Sequence, residues 1–244
     1  MDVIEDLAAE YDRIEAILAG LDEAAWLTES GAKGWTVADV VLHLAQGEEA
    51  VVDSTSGRSL LEGRTVVGNN VDEMMDNWVR AERAAPEVIF KRWQTAKAAS
   101  VDALRAADPQ QPLPWVAAPL KPRAMATTRL AEHWAHTLDI VGPLGIDYPD
   151  TDRLHHIAWL AHRTLPYGFQ VAGEEAAEVY VELVAPDGVT TWEFGSSDAA
   201  SSIRGSAGAF CRVGAQRLQA ADSGLVTSGP AGATALRVLR NYAA

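Results

Sequence analysis

The texture of this chain changes near residue 148, from helical spacing alone to a mixture of helices and strands, and that change limits the folds open to it. Before it, large apolar side chains recur every three or four residues. Leu7, Tyr11, Ile14 and Leu18 make one stripe along a helix expected over about 2–22. After it, Glu178-Val-Tyr-Val-Glu-Leu-Val184 alternates with period two, as a strand with one buried face does. Pro186-Asp187-Gly188 is a turn, and Thr190 to Phe194 is a second strand. The expected fold class is therefore α+β, with a helical module over 1–147 and a smaller α+β module over 148–244. With 48% hydrophobic residues, both can hold a core.

Within the first module, Thr36 and Asp39 read as a capping box, with Trp35 placed to staple the helix start. The helix they open points Val37, Val40, Val41 and Leu44 at the core and ends near the loop 53–57. Residues 57–68 are irregular, and Asp72 to Ala84 is again helical. Pro86 can be the first residue of a helix running to Ala107. Residues 108–122 carry Pro109, Pro112, Pro114, Pro119 and Pro122, a loop long enough to shape a site. Arg123 to Ile140 is a strong helix that Gly142 and Gly145 stop. In the second module, helices are expected over 152–165 (ended by Pro166), 206–220 and 231–242, with a short strand at Val226-Thr227.

Charge and composition remove several function classes. The net charge of −14, with Lys and Arg scattered, disfavours nucleic acid and anionic membrane as partners. No run of apolar residues is long enough to span a bilayer, and the acidic N-terminal segment lacks the basic region of a signal peptide, so a cytoplasmic location is expected. The single cysteine, Cys211, allows no intrachain disulfide and no Cys-rich zinc site. It reads as a small core residue or, without a recognisable His partner, a nucleophile lacking its base. No Gly-rich phosphate loop and no nucleophile elbow is present.

Glu132 and His136, four apart on one helix, share a face. His43 lies on another helix. Three such ligands leave a coordination position open, as catalytic metal sites do. The donor set suits zinc, and also nickel, iron or manganese. Asp139 is placed to orient an imidazole. Arg129, one turn before Glu132, is placed to pair with a carboxylate or an anionic substrate. A second reading of the same residues stands beside this one: Glu132 and His136 as a surface pair, and His43 as a satisfied core histidine. His133 points about 100° away round the helix and is a poor ligand. His155, Trp159 and His162 share a face that either lines a pocket between the modules or packs the second one, and Trp115 is placed to cover a ligand.

The segments Trp35-Thr-Val-Ala-Asp39-Val-Val-Leu-His43-Leu and Arg129-Leu-Ala-Glu132-His-Trp134-Ala-His136-Thr-Leu-Asp139 resemble, in order and separation, the two motifs of the mycothiol-dependent maleylpyruvate isomerase family. That family belongs to the DinB-like superfamily of metal-binding four-helix bundles. The resemblance covers about residues 1–145 well and the rest loosely. It implies a DinB-like bundle followed by a sterol-carrier-like α+β module. It implies that His43, Glu132 and His136 ligate a divalent metal, typically zinc. It also implies an active-site arginine in the second module, for which Arg217 is the candidate and Arg212 the rival. The local sequence there departs from the family's Gly-Arg pair. The activity implied is a thiol-dependent isomerase or S-transferase, with mycothiol as the thiol cofactor and a small electrophilic or carboxylate substrate, whose charge Arg217 or Arg129 would neutralise. A metal-dependent hydrolase using water at the same metal is the alternative within enzymes. A ligand-binding or cyclase-type protein on the same bundle is the alternative outside this chemistry. The superfamily contains monomers and homodimers.

Overall fold

A computed structural model of the chain describes residues 2–58, 67–116 and 118–241. The chain divides after Tyr148 into two compact units. The first holds α1 (Val3–Ala19), a short α2 (Glu23–Trp26), α3 (Val37–Thr55), α4 (Val71–Ala81), α5 (Pro86–Ala106) and α6 (Pro122–Leu144). The four long helices make the bundle: α3 packs on α5 and α6, and α1 packs on the same two.

The predicted stripe on α1 is its buried face, since Leu7, Tyr11, Ile14 and Leu18 are all buried. They meet Val40, Val41 and Leu44 from α3, Ile89 and Trp93 from α5, and Met125, Leu130 and Trp134 from α6 in one bundle core. Burying each large side chain of this kind contributes about 1.5–3 kcal/mol before entropy is counted. The Thr36–Asp39 capping box is present, each side chain bonding the other residue's backbone N–H. The Asp39 carboxylate also takes two hydrogen bonds from Arg83. Both α5 and α6 begin on a proline, where a missing N–H costs nothing.

Several boundaries differ from the sequence reading. α3 continues to Thr55, through the expected turn at 53. Residues 59–66, expected to be irregular, lie outside the described residues. α6 passes Gly142 and stops at Gly145, whose φ of 64° is the left-handed conformation that glycine adopts without strain. Pro143, inside the last turn, has no N–H to give the carbonyl of Asp139. The backbone N–H of Gly31 donates to that carbonyl instead, at 2.8 Å. A Cβ on residue 31 would lie 3.1 Å from the Asp139 backbone, so the approach is as close as a glycine permits. The proline-rich loop folds back on itself, Leu113 and Leu120 exchanging backbone hydrogen bonds of 2.7 and 2.9 Å.

The second unit holds α7 (Leu154–Arg163), α8 (Leu165–Val171), β1 (Val179–Val184), β2 (Thr191–Phe194), β3 (Ser201–Ser206), α9 (Ala207–Gly214), β4 (Val226–Ser228) and α10 (Gly232–Val238). Pro166 opens α8 rather than merely ending α7. The sheet order is β2-β1-β3-β4, with β1 and β3 parallel and the outer pairs antiparallel. α7 and α9 pack on this sheet. The helix expected over 206–220 is shorter, ending at Gly214, with a single 3₁₀ turn at Ala220–Asp222. The chain is α+β and mostly helical, with one small sheet among the described residues.

Candidate metal centre

α3 and α6 face each other across the bundle, and His43 meets Glu132 and His136 there. The amphipathic spacing of both helices brings this about. Val37, Val40, Val41 and Leu44 anchor one face of α3, and Met125, Ala126, Leu130, Trp134 and Thr137 anchor one of α6. The three side chains stand beside those buried stripes and are themselves only part-exposed, at 13% for His43, 29% for Glu132 and 14% for His136. Oε2 of Glu132 lies 3.8 Å from Nε2 of His43 and 3.6 Å from Nε2 of His136. One donor atom from each residue falls within 4.8 Å of the others. Bond lengths of about 2.0–2.2 Å place ligands of a tetrahedral zinc about 3.3–3.6 Å apart. The spacing of these three donors is thus close to that of a coordination shell.

The state of the rings follows from their partners. Nδ1 of His136 lies 2.9 Å from Oδ2 of Asp139. A carboxylate can only accept, so this nitrogen carries a proton, which leaves Nε2, the atom nearer Glu132, as the ring's possible ligand atom. Asp139 itself is 4% exposed, and its backbone is held by Gly31. Nδ1 of His43 is buried without a hydrogen-bond partner among the described residues.

Burial lowers the pKa of His43, opposed by the carboxylate of Glu132 and helped by the nearby Arg129 guanidinium. Glu132 loses solvation too, which works to raise its pKa. The two imidazoles beside it and the Arg129 guanidinium outweigh that and hold its carboxyl well below the usual range. Near neutral pH the site therefore offers the Glu132 carboxylate and the unprotonated His43 imidazole, the forms that ligate metal.

Trp35 is placed for more than a helix staple. Its ring stacks on His136 at 6.3 Å and lies against His43 at 5.1 Å, while its Nε1 donates to Asp76 of α4 at 2.8 Å. The Gly31 contact to α6 ties down the loop that carries it.

The first module matches the mycothiol maleylpyruvate isomerase N-terminal domain over residues 7–141, more than half of the chain. The chain belongs to that family. Among curated relatives, an uncharacterized protein of Mycobacterium tuberculosis is 35% identical over 219 residues, in strains CDC 1551 / Oshkosh and ATCC 25618 / H37Rv alike. The match covers 88% of this chain and 84% of that protein. Among solved structures, the mycothiol-dependent maleylpyruvate isomerase and a histidine-to-alanine mutant of it match with a TM-score of 0.62. They are 15% and 14% identical, over 93% of this chain and 91% of theirs. At that identity the likeness concerns the fold.

The isomerase-family bundle also contains a residue that spacing did not bring out, Glu48, and it is the carboxylate that Arg129 pairs with. Arg129 is 5% exposed, and its Nε donates to Oε1 of Glu48 on α3 at 2.7 Å. Tyr11, Ser100 and His133 also interact with Glu48. Arg129 is thus set inside the bundle rather than presented to solvent, with Trp115 of the proline-rich loop 6.0 Å from its guanidinium carbon. The signal for Glu48 is its position: it continues the buried stripe of Val40, Leu44 and Val51, where an acid must be paired. His133 points away from Glu132, as its helix position predicts, into the core between Tyr11 and Trp93.

In the second unit, Arg212 makes two hydrogen bonds to Asp150, at 2.7 and 2.8 Å. Arg217 is exposed and donates to the carbonyl of Ala215. His155 packs against Trp192 and Phe194 of β2, and His162 stacks on Phe194 with Nε2 donating to the carbonyl of Val179. This cluster serves the packing of α7 on its own sheet. Cys211 is buried and its thiol donates to the carbonyl of Leu154; burial pushes its pKa up, which marks a core residue rather than a nucleophile. No helix among the described residues is long and apolar enough to cross a membrane.

Proposed function

We propose that this chain is a metal-dependent enzyme of the thiol-using kind, an isomerase or S-transferase acting on a small electrophilic carboxylate substrate with mycothiol. The observation that carries the proposal is the convergence of His43 with Glu132 and His136 in a domain of the mycothiol isomerase family. His43, Glu132 and His136 would hold the ion, zinc first among candidates. Such an ion, when bound, lowers the pKa of a coordinated thiol so that thiolate is available at neutral pH. The chain's own residues prepare the site: Asp139 holds His136 with Nε2 turned inward, and Trp35 packs both rings in place. Arg217 is the residue proposed to neutralise the substrate carboxylate. Arg212 is already engaged by Asp150, and Arg129 is nearly enclosed, which leaves it the weaker candidate for direct contact with substrate.

The test is metal content by mass spectrometry on tag-free protein beside the His43→Ala, His136→Ala double mutant, followed by turnover of an unsaturated dicarboxylate with and without mycothiol. Near-stoichiometric metal lost in the mutant, with thiol-dependent turnover, is the expected result. Turnover without thiol would instead favour a hydrolase on the same residues. A metal-free parent whose melting temperature ignores added zinc would leave a ligand-binding bundle.

A further inference from the structure

A charged pair buried in the core of a helical bundle calls for a reason, because well-packed apolar residues would serve stability equally or better. Glu48 is fully buried and Arg129 nearly so, with Nε and Oε1 at 2.7 Å. The bundle makes room for them. A Cβ on residue 47 would fall 2.4 Å from NH2 of Arg129, so Gly47 is what lets the guanidinium lie against α3. The pair is not symmetric about the candidate metal centre. Arg129 sits one turn before Glu132 on α6, and its charge acts on both Glu132 and His43. Glu48 lies 3.6 Å from Nδ1 of His133, the residue that α6 turns away from Glu132 into the core.

From this arrangement we infer that the Glu48–Arg129 pair sets the cation affinity of the His43–Glu132–His136 site. Arg129 is a fixed positive charge behind the ligands, and Glu48 offsets it. Neither is a ligand of the ion, and in this role both act as positioning residues behind the ligands. The inference rests on the metal reading above and adds to it a sign that packing alone does not supply. Removing the negative partner leaves an uncompensated positive charge beside the site and weakens a divalent ion. Removing the positive partner strengthens it. Two substitutions that each damage the same buried pair should therefore move metal affinity in opposite directions.

The experiment measures zinc affinity of the full chain by competition with a chromophoric chelator, checked by cobalt absorption, for the parent, Glu48→Gln, Arg129→Met and the double variant, with melting temperatures alongside. Glu48→Gln is expected to bind zinc about tenfold more weakly, the size of effect that residues behind metal ligands commonly have. Arg129→Met is expected to bind more tightly than the parent, although both melt lower. The double variant removes both charges and keeps the fold within reach if a single one does not fold; it too should bind more tightly than the parent, since the nearer charge is gone. Equal affinities throughout, or losses in both single variants and the double, overturn the inference and make the pair purely structural. A parent that binds no zinc or cobalt instead overturns the metal reading itself.

Discussion

His133 sits beside a candidate ligand yet has a separate role, and its partners fix its chemistry. Nδ1 lies 3.0 Å from the carbonyl of Arg129 and Nε2 lies 3.2 Å from the indole nitrogen of Trp93. The carbonyl can only accept and the indole N–H can only donate, so the ring is the neutral Nδ1–H tautomer. A second proton would face the Trp93 N–H in the core. Burial pushes the pKa down to about 3, Arg129 adding to it against the charge of Glu48. The unfolded chain binds a proton here below about pH 6.5, and the folded chain does not until near its own lower value. Folding thus becomes less favourable as pH falls from about 6.5 towards 3, by at most about 1.4 kcal/mol per pH unit. His133→Gln removes this titration. In the presence of a chelator, its melting temperature should fall less between pH 7 and pH 5 than that of the parent. Parallel curves would mean that other groups carry the acid sensitivity.

At the level of elements, how α3 and α6 meet depends on Gly47. Glycine inside a helix costs about 1 kcal/mol relative to alanine, so Gly47→Ala should stabilise α3 if nothing opposed it. The added methyl would meet a guanidinium that Glu48 holds and the bundle encloses, and such overpacking costs typically about 1–3 kcal/mol. A lower melting temperature is the expected balance; a higher one would mean that Arg129 moves aside freely. The helices themselves were legible because each signal was local: a stripe for α1, a capping box for α3 and a proline opening α5; Pro122, which reads as the last residue of the loop, in fact opens α6. β3 was not. Ser201-Ser-Ile-Arg-Gly-Ser206 has one large apolar residue and no alternation, and it is a strand because β1 and β4 pair with it on both sides. The end of α6 was misread for a related reason: the carbonyl that Pro143 leaves open is satisfied by Gly31, more than a hundred residues earlier in the chain.

Across the whole molecule, Glu132 and His136 stood out as a pair because they are one helical turn apart and His43 joined them through the resemblance to the isomerase motifs, whereas Glu48 and Arg129 are 81 residues apart and pair only through the fold. The same distinction separates what each unit can contribute. His43, Glu132 and His136 all lie in the first unit, so a change in the second should leave bound metal alone. A chain of net charge −14 repels an anionic substrate on average, and a carboxylate substrate then needs a cationic group where it binds. Arg217 is the proposed one. Losing a charge-assisted hydrogen bond of this kind costs about 1.5–3 kcal/mol, tenfold or more in kcat/KM. Arg217→Ala should therefore keep the metal content of the parent while KM for a carboxylate substrate rises, and Arg217→Lys should recover part of the loss. An unchanged KM would remove Arg217 from substrate recognition and return the question to Arg129. Lost metal would mean that the second unit supports the ion site itself, and the division of labour between the units would have to be redrawn.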